Sequence, residues 1–353
     1  MAETDSPGLL TAKECRIMRG MAILGILAHN YCHMIAGVVK ENEFQWLYGN
    51  VQAFWESLLA FGASLPLDLM SFFGHYGVPV FLFLSGYGLE MKYGNGGMSM
   101  ERWRLVGRHY VKLLKMMLPG LLVSIALVCW CIGLPHRYSP LDIAAMLLLS
   151  ANILTDPPIV IFPGPYWFFG LMLQLYAVYF LLLHGRRLRW AVLLVAVCIA
   201  CQLAIPPESG YMMWYKYNCM GNMLPFGAGI VFARRRWPCG VPLPSGRHAL
   251  PVGLVFMILL AVAGFRGWSW TFSPLLACCS VLCLARACAA VPFLNGVLEW
   301  FGLLSAALFV WHPIVRSVVI VQNFDVVAGL ALYAAASIGV AWIMSEQGKA
   351  GPA

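Results

Sequence analysis

The chain has 353 residues, 61% of them hydrophobic and 11% charged, with a mean hydropathy of +0.77. Soluble domains carry about 25% charged residues, so a soluble globular protein is excluded. Apolar runs recur along nearly the whole chain and no polar stretch is long enough to fold alone, which also excludes a separate extramembrane catalytic module. The net charge of +8 comes from basic residues between apolar segments, where membrane topology accounts for them, so nucleic acid is not an expected partner.

A membrane-spanning helix needs roughly 20 mostly apolar residues. In chain order that template gives helices at about 17–37, 70–90, 113–134, 166–184, 190–205, 219–233, 250–265, 271–290, 297–320 and 327–345. The expected fold is therefore all-α, a polytopic transmembrane bundle of about ten helices forming one domain over 1–353. That domain takes in a cytoplasmic N-terminal segment at about 1–16 and a short tail at 346–353. Lys13, Arg16 and Arg19 flank the first apolar run and no small-residue cleavage signal follows it, so it reads as a retained helix. With the N-terminus inside and sides alternating, 18 of the 23 Lys and Arg residues fall on the inner face. Lys40, Arg137, Lys216, Arg266 and Arg316 fall outside. This asymmetry is the positive-inside pattern and puts both termini in the cytoplasm. The loop at about 38–69, with Glu41, Glu43 and several aromatic residues, is expected to rest on the outer membrane interface, and 141–153 to lie at an interface. Eight of the twelve cysteines sit inside apolar runs and read as small hydrophobes, because Cys198-x-x-Cys201 has no second pair and no basic neighbour.

The first helix, CRIMRGMAILGILAHNYCHMIAG, carries two histidines four residues apart, His29 and His33, which share a face. His29 lies roughly 15 Å along the helix from Arg19, at hydrocarbon depth, where an ionisable group must face protein interior or a wet cavity. It reads as a general base or acyl relay, or else as a packing histidine bonded to a backbone carbonyl. No acidic residue nearby completes a metal set, and no metal is expected. Arg19 and Arg16 either hold an anionic donor below the histidine or anchor the helix. Ser85-Gly86-Tyr87 interrupts the second apolar run with small residues suited to close packing or ligand approach. Arg104, Arg108, Lys112 and Lys115 form a basic stripe that fits phosphate groups or lipid headgroups equally well. Trp167 at a helix edge and Gln174 within that helix are candidate substrate contacts, as is His33. His312, before Pro313, divides between support and catalysis; Pro313 frees a backbone carbonyl.

In this order these patches resemble the acyltransferase-3 family of bacterial integral membrane proteins. Arg19-Gly20-Met21-Ala22-Ile23-Leu24 leading to His29 is similar to the family's first-helix motif, and Ser85-Gly86-Tyr87 to its SGF motif. The stretch to Pro119, Tyr166-Trp167-Phe168, Leu224-Pro225-Phe226 and Ser305 through His312-Pro313 follow as later landmarks. Nine residues separate Arg19 from His29, against ten in most members, and the family's Arg-x-x-Arg has only Lys112-x-x-Lys115 as its counterpart. The resemblance implies transfer of an acyl group, usually acetyl, from cytoplasmic acyl-CoA to a hydroxyl of a cell-surface glycan or its lipid-linked precursor, in a bacterial cytoplasmic membrane. It assigns Arg19 and His29 as essential and the Arg108, Lys112 and Lys115 cluster as the donor site, to which Arg104 and Ser85 are added as candidate donor contacts. Membrane lipids are further partners, and a homo-oligomer is left open. The alternative from another class is a proton-coupled transporter of a lipid-linked or polar solute using the same buried histidines.

Overall fold

The computed structural model describes residues 10–94, 101–130, 136–154, 156–235, 244, 246–322 and 324–349. Residues 1–9 and 350–353 of the two expected tails lie outside the described residues, as do Cys131 and Arg236. The described residues are helical or irregular, with no strand. Fourteen helices of eight residues or more are present among them: α1 Ala12–Cys32, α2 Tyr48–Ala60, α3 Leu65–Gly74, α4 Gly77–Tyr93, α5 Arg102–Trp130, α6 Pro140–Leu147, α7 Trp167–Ala177, α8 Leu188–Ala204, α9 Gly210–Tyr217, α10 Met223–Arg235, α11 Ala249–Ala263, α12 Ser273–Ala289, α13 Pro292–Ile320 and α14 Val326–Lys349.

Helix covers most of the described part of each of the ten apolar stretches. Five segments among the described residues are long and apolar enough to cross a membrane: Leu65–Tyr93, Arg102–Trp130, Gly164–Leu183, Pro292–Ile320 and Val326–Ser345. Leu188–Ala204, Ala249–Ala263 and Ser273–Ala289 are apolar but shorter. α5 and α14 turn most of their surface outward; on α5 the exposed basic side chains end at Lys115 and those beyond it, such as Leu122 and Trp130, are apolar, as are Leu332 and Trp342 on α14. Apolar surface exposed over such lengths is what lipid contact requires. The ten described cysteines are free, as small buried or lipid-facing side chains.

α1 begins at a capping box, in which the Thr11 hydroxyl accepts from the Glu14 amide and the Glu14 carboxylate accepts from the Thr11 amide. It forms the centre of the bundle, packed by α13, α3, α4, α12 and α14. Its contact with α13 is backbone on backbone. A Cβ at Gly20 would meet the Leu298 carbonyl, and one at Gly302 would meet the Arg16 carbonyl. The two helices run parallel, and further along the pair, beyond Gly20 on one and Gly302 on the other, Asn30 meets Arg316. α4 and α10 meet in the same manner, Gly86 against the Phe226 carbonyl and Gly229 against the Phe83 carbonyl. Close packing is thus the work of the Ser85-Gly86-Tyr87 interruption, as its small residues predict.

Two features depart from the sequence reading. The apolar run at 70–90 is broken at His75-Tyr76 into α3 and α4, and the last carbonyls of α3 lose their intrahelical partners. The loop at 38–69 does not simply rest on an interface. Residues 38–47 form a strap turned into the end of the bundle, pinned from several sides. The Val39 amide donates to Asp68 at 2.9 Å, Trp46 Nε1 to the Gly264 carbonyl at 2.7 Å, and Trp270 Nε1 to the Asn42 carbonyl at 2.8 Å. A strap that irregular needs partners for its backbone, and burying its ends against α3, α11 and α12 supplies them.

Candidate active site

The site grows from the α1–α3 contact. A Cβ at Gly74 would lie 2.6 Å from His29 Cβ and collide with the Gly25 carbonyl, so glycine lets the end of α3 approach α1. That approach sets the orphan Ser71 carbonyl 2.7 Å from His29 Nδ1. A carbonyl only accepts, so Nδ1 carries the proton and Nε2 carries the lone pair. The Ser71 hydroxyl in turn donates to the Val39 carbonyl at 2.6 Å, tying histidine, helix and strap together. The bland reading of His29, a ring bonded to backbone, therefore holds for one nitrogen and leaves the other available.

The strap brings Glu41 to that second nitrogen. Glu41 Oε1 stands 4.0 Å from His29 Nε2 and 3.4 Å from His33 Nδ1. The His29 and His33 rings stack with centroids 4.7 Å apart, and His75 lies 5.6 Å from His29. Burial by itself would raise the Glu41 carboxyl; the His33 hydrogen bond and the surrounding imidazoles outweigh it and hold it well below the usual carboxylate range. Glu43, two residues on, behaves oppositely: burial and the Glu41 charge push it up to about 8. Burial brings Lys216 down to about 8. The expectation that no acid accompanies the two histidines is corrected here. Glu41 is eight residues beyond His33, past the end of α1, and only the fold of the strap returns it. His29, His33 and Glu41 place their ligand atoms within 4.8 Å of one another. That donor set suits a hydrogen-bonded acid–imidazole relay and also a zinc-type cation.

His29, His33, Glu43, His75, Trp167 and Arg316 line a cavity of about 390 Å³, whose walls include the aromatic rings of Phe44, Phe168, Tyr217 and Phe309. A second cavity of about 230 Å³ is lined by Arg19, Ser85, Lys112, Tyr176 and Ser305. Phe168 and Phe309 belong to both walls, with ring centroids 4.9 Å apart. The two cavities meet at this aromatic pair, the basic one on one side and the imidazole one on the other.

Of the residues singled out from the sequence, His29, His33 and Trp167 share the first cavity and Arg19, Ser85 and Lys112 the second. Arg104, Arg108 and Lys115 are exposed on α5 and line neither; Arg104 pairs with Glu101 at 3.4 Å. Gln174 also lines neither. Its amide donates to Asn218 Oδ1 at 2.8 Å and its carbonyl accepts from the Cys219 amide at 2.8 Å, so the expected substrate contact is a clamp on the 218–219 turn. His312 is fully buried off both cavities, with Nδ1 donating to the Leu308 carbonyl at 2.8 Å and no partner at Nε2 among the described residues. Its ring lies beside Phe309, with centroids 6.0 Å apart.

Glu41, Glu43, His75, Asn30 and Arg316 were not among the candidates. His75 and Arg316 satisfy the criterion that flagged His29, an ionisable group inside an apolar run. Arg316 also fits the outer basic set, so a charge count alone does not distinguish it. No periodicity marks the two glutamates.

The sequence pattern of the acyltransferase-3 family, described as an acyltransferase domain, matches residues 14–346. The chain belongs to this family. The match takes in every residue of both cavities, from Arg19 to Arg316. No curated protein and no solved structure matches the chain. Together with the five apolar helices of spanning length, the family makes this a multi-pass membrane acyltransferase.

Proposed function

We propose that this acyltransferase moves an acyl group, acetyl in the simplest case, from acyl-CoA on the cytoplasmic side to a hydroxyl of a cell-surface glycan or its lipid-linked precursor. The observation that carries the reading is the pair of cavities meeting at Phe168 and Phe309, with Arg19 and Lys112 in one and the free Nε2 of His29 in the other. Cations lining the inner cavity suit the phosphates of CoA. The thioester reaches the aromatic pair, and the acceptor hydroxyl enters the outer cavity. His29 Nε2 takes the hydroxyl proton as oxygen attacks the acyl carbon, and the C–S bond breaks to release CoA thiolate, which is reprotonated. Glu41 stabilises the imidazolium that forms, while the Ser71 carbonyl keeps the ring oriented. Trp167, Phe44 and Tyr217 offer flat apolar faces of the kind against which sugar rings pack.

In this reading ten spans set both termini in the cytoplasm of a bacterial cell, with the Arg19 end of α1 inward and the strap outward. The test is transfer from radiolabelled acetyl-CoA by purified protein in detergent, with sugar acceptors, alongside glycan profiling of a deletion strain. Acetyl transfer that His29→Asn abolishes supports the proposal. Absence of turnover with every acceptor, together with solute flux in vesicles, refutes it in favour of transport.

A further inference from the structure

Three buried or half-buried arginines of the described chain each hold a carboxylate: Arg16 meets Glu299 at 2.6 Å, Arg234 meets Glu90 at 2.8 Å and Arg286 meets Glu14 at 2.8 Å. Arg316 is more deeply buried than any of them, 8% exposed, and has no carboxylate within 4.0 Å among the described residues. Its Nη1 donates to the backbone carbonyl and side-chain oxygen of Asn30, at 3.1 and 2.8 Å. Nε and Nη2 bond to nothing else in the described residues, and the side chain lines the His29 cavity.

A full charge taken out of water costs several kcal/mol on the order of magnitude unless it is paired. The Glu41 carboxylate is engaged by the imidazoles of His29 and His33, and two neutral acceptors on Asn30 do not replace a counter-ion. A transition-state oxyanion would compensate the guanidinium only for the instant of reaction. A ligand that is anionic in its ground state compensates it throughout binding. The free Nε and Nη2 edge also matches the two-pronged geometry with which arginine receives a carboxylate or phosphate.

We infer that Arg316 is the recognition site for an anionic group on the acceptor, so that the acyltransferase selects a sugar bearing a carboxylate or a phosphate over its neutral counterpart. The inference rests on the acyl-transfer reading for the role of that ligand as acceptor, but the binding site itself does not.

The test uses the full chain in detergent with three probes, glucose, glucuronic acid and glucose 1-phosphate, in two measurements. Binding is read from the concentration dependence of the melting temperature. Acetylation is read from radiolabelled acetyl-CoA. The expected result is at least tenfold tighter binding of one anionic probe than of glucose; glucuronic acid identifies a carboxylate acceptor and glucose 1-phosphate a phosphate one. Arg316→Met removes the preference, and Arg316→Lys retains most of it. Glucose binding as tightly as both anions overturns the inference without any variant, which covers the case where Arg316→Met fails to fold. A kcat loss in Arg316→Met that is equal for all three acceptors, with the binding preference unchanged, also overturns it and makes Arg316 a group acting on the acyl carbon. Arg316-dependent anion binding without any acetylation sinks the acyl-transfer reading and leaves the anion site standing.

Discussion

Replacing His29 with asparagine separates its two nitrogens. The Asn amide nitrogen stands where Nδ1 stood and can still donate to the Ser71 carbonyl, which His29 Nδ1 holds at 2.7 Å, so the cost of leaving that carbonyl unpaired, about 1–3 kcal/mol, is avoided. What disappears is the lone pair of Nε2. Loss of a general base lowers rate by about 10²–10⁴-fold, and that is the expected fall in acetyl transfer for His29→Asn at an unchanged melting temperature. Glu41→Gln probes the charge beside it. At the observed 4.0 Å an opposite charge is worth about 4 kcal/mol at an effective dielectric of ~20. His33 shares the carboxylate, so about half of that is assigned to the imidazolium of His29, which corresponds to roughly a 30-fold loss of kcat. Both variants are measured with radiolabelled acetyl-CoA in detergent, each with and without a chelator. Full activity in His29→Asn refutes the base. Activity lost to chelator and restored by zinc would instead make His29, His33 and Glu41 metal ligands and refute the direct proton-transfer step.

Phe309→Ala, at a position 7% exposed, costs about 3–5 kcal/mol of stability and opens the partition between the cavities; acetyl-CoA hydrolysis should rise relative to transfer, and an unchanged ratio refutes the partition. Lys112→Ala should raise KM for acetyl-CoA by about 10-fold, the worth of one charge-assisted phosphate contact, while Arg104→Ala, already paired with Glu101, leaves it unaltered; equal effects would show the stripe acting as a whole. Glu43 keeps its proton in the fold up to about 8, whereas an unfolded glutamate loses it near about 4.3. Between these values the unfolded chain binds fewer protons, so stability falls as pH rises, and Glu43→Gln should flatten the melting temperature between pH ~5 and ~8. A Glu43→Gln protein with the wild-type slope would dismiss that account.

The membrane class, the helical fold and the depth of His29 follow from one-dimensional facts: long apolar runs leave the backbone no partner but itself, and an imidazole within such a run must face protein or water. Spacing along α1 is likewise enough to put His29 and His33 on one face. The tautomer of His29, its acid and the anion-facing arginine are decided elsewhere. They depend on a helix break at His75 that frees the Ser71 carbonyl, a strap that returns Glu41 from beyond the end of α1, and glycine contacts that set α13 in register against α1. Each of these joins residues far apart in the chain through close packing, as Asn30 and Arg316 are joined. Gln174 and His312 make the same point in reverse, since an intramembrane polar group can be spent on a neighbouring backbone as readily as on a substrate, and only the packing around it determines which.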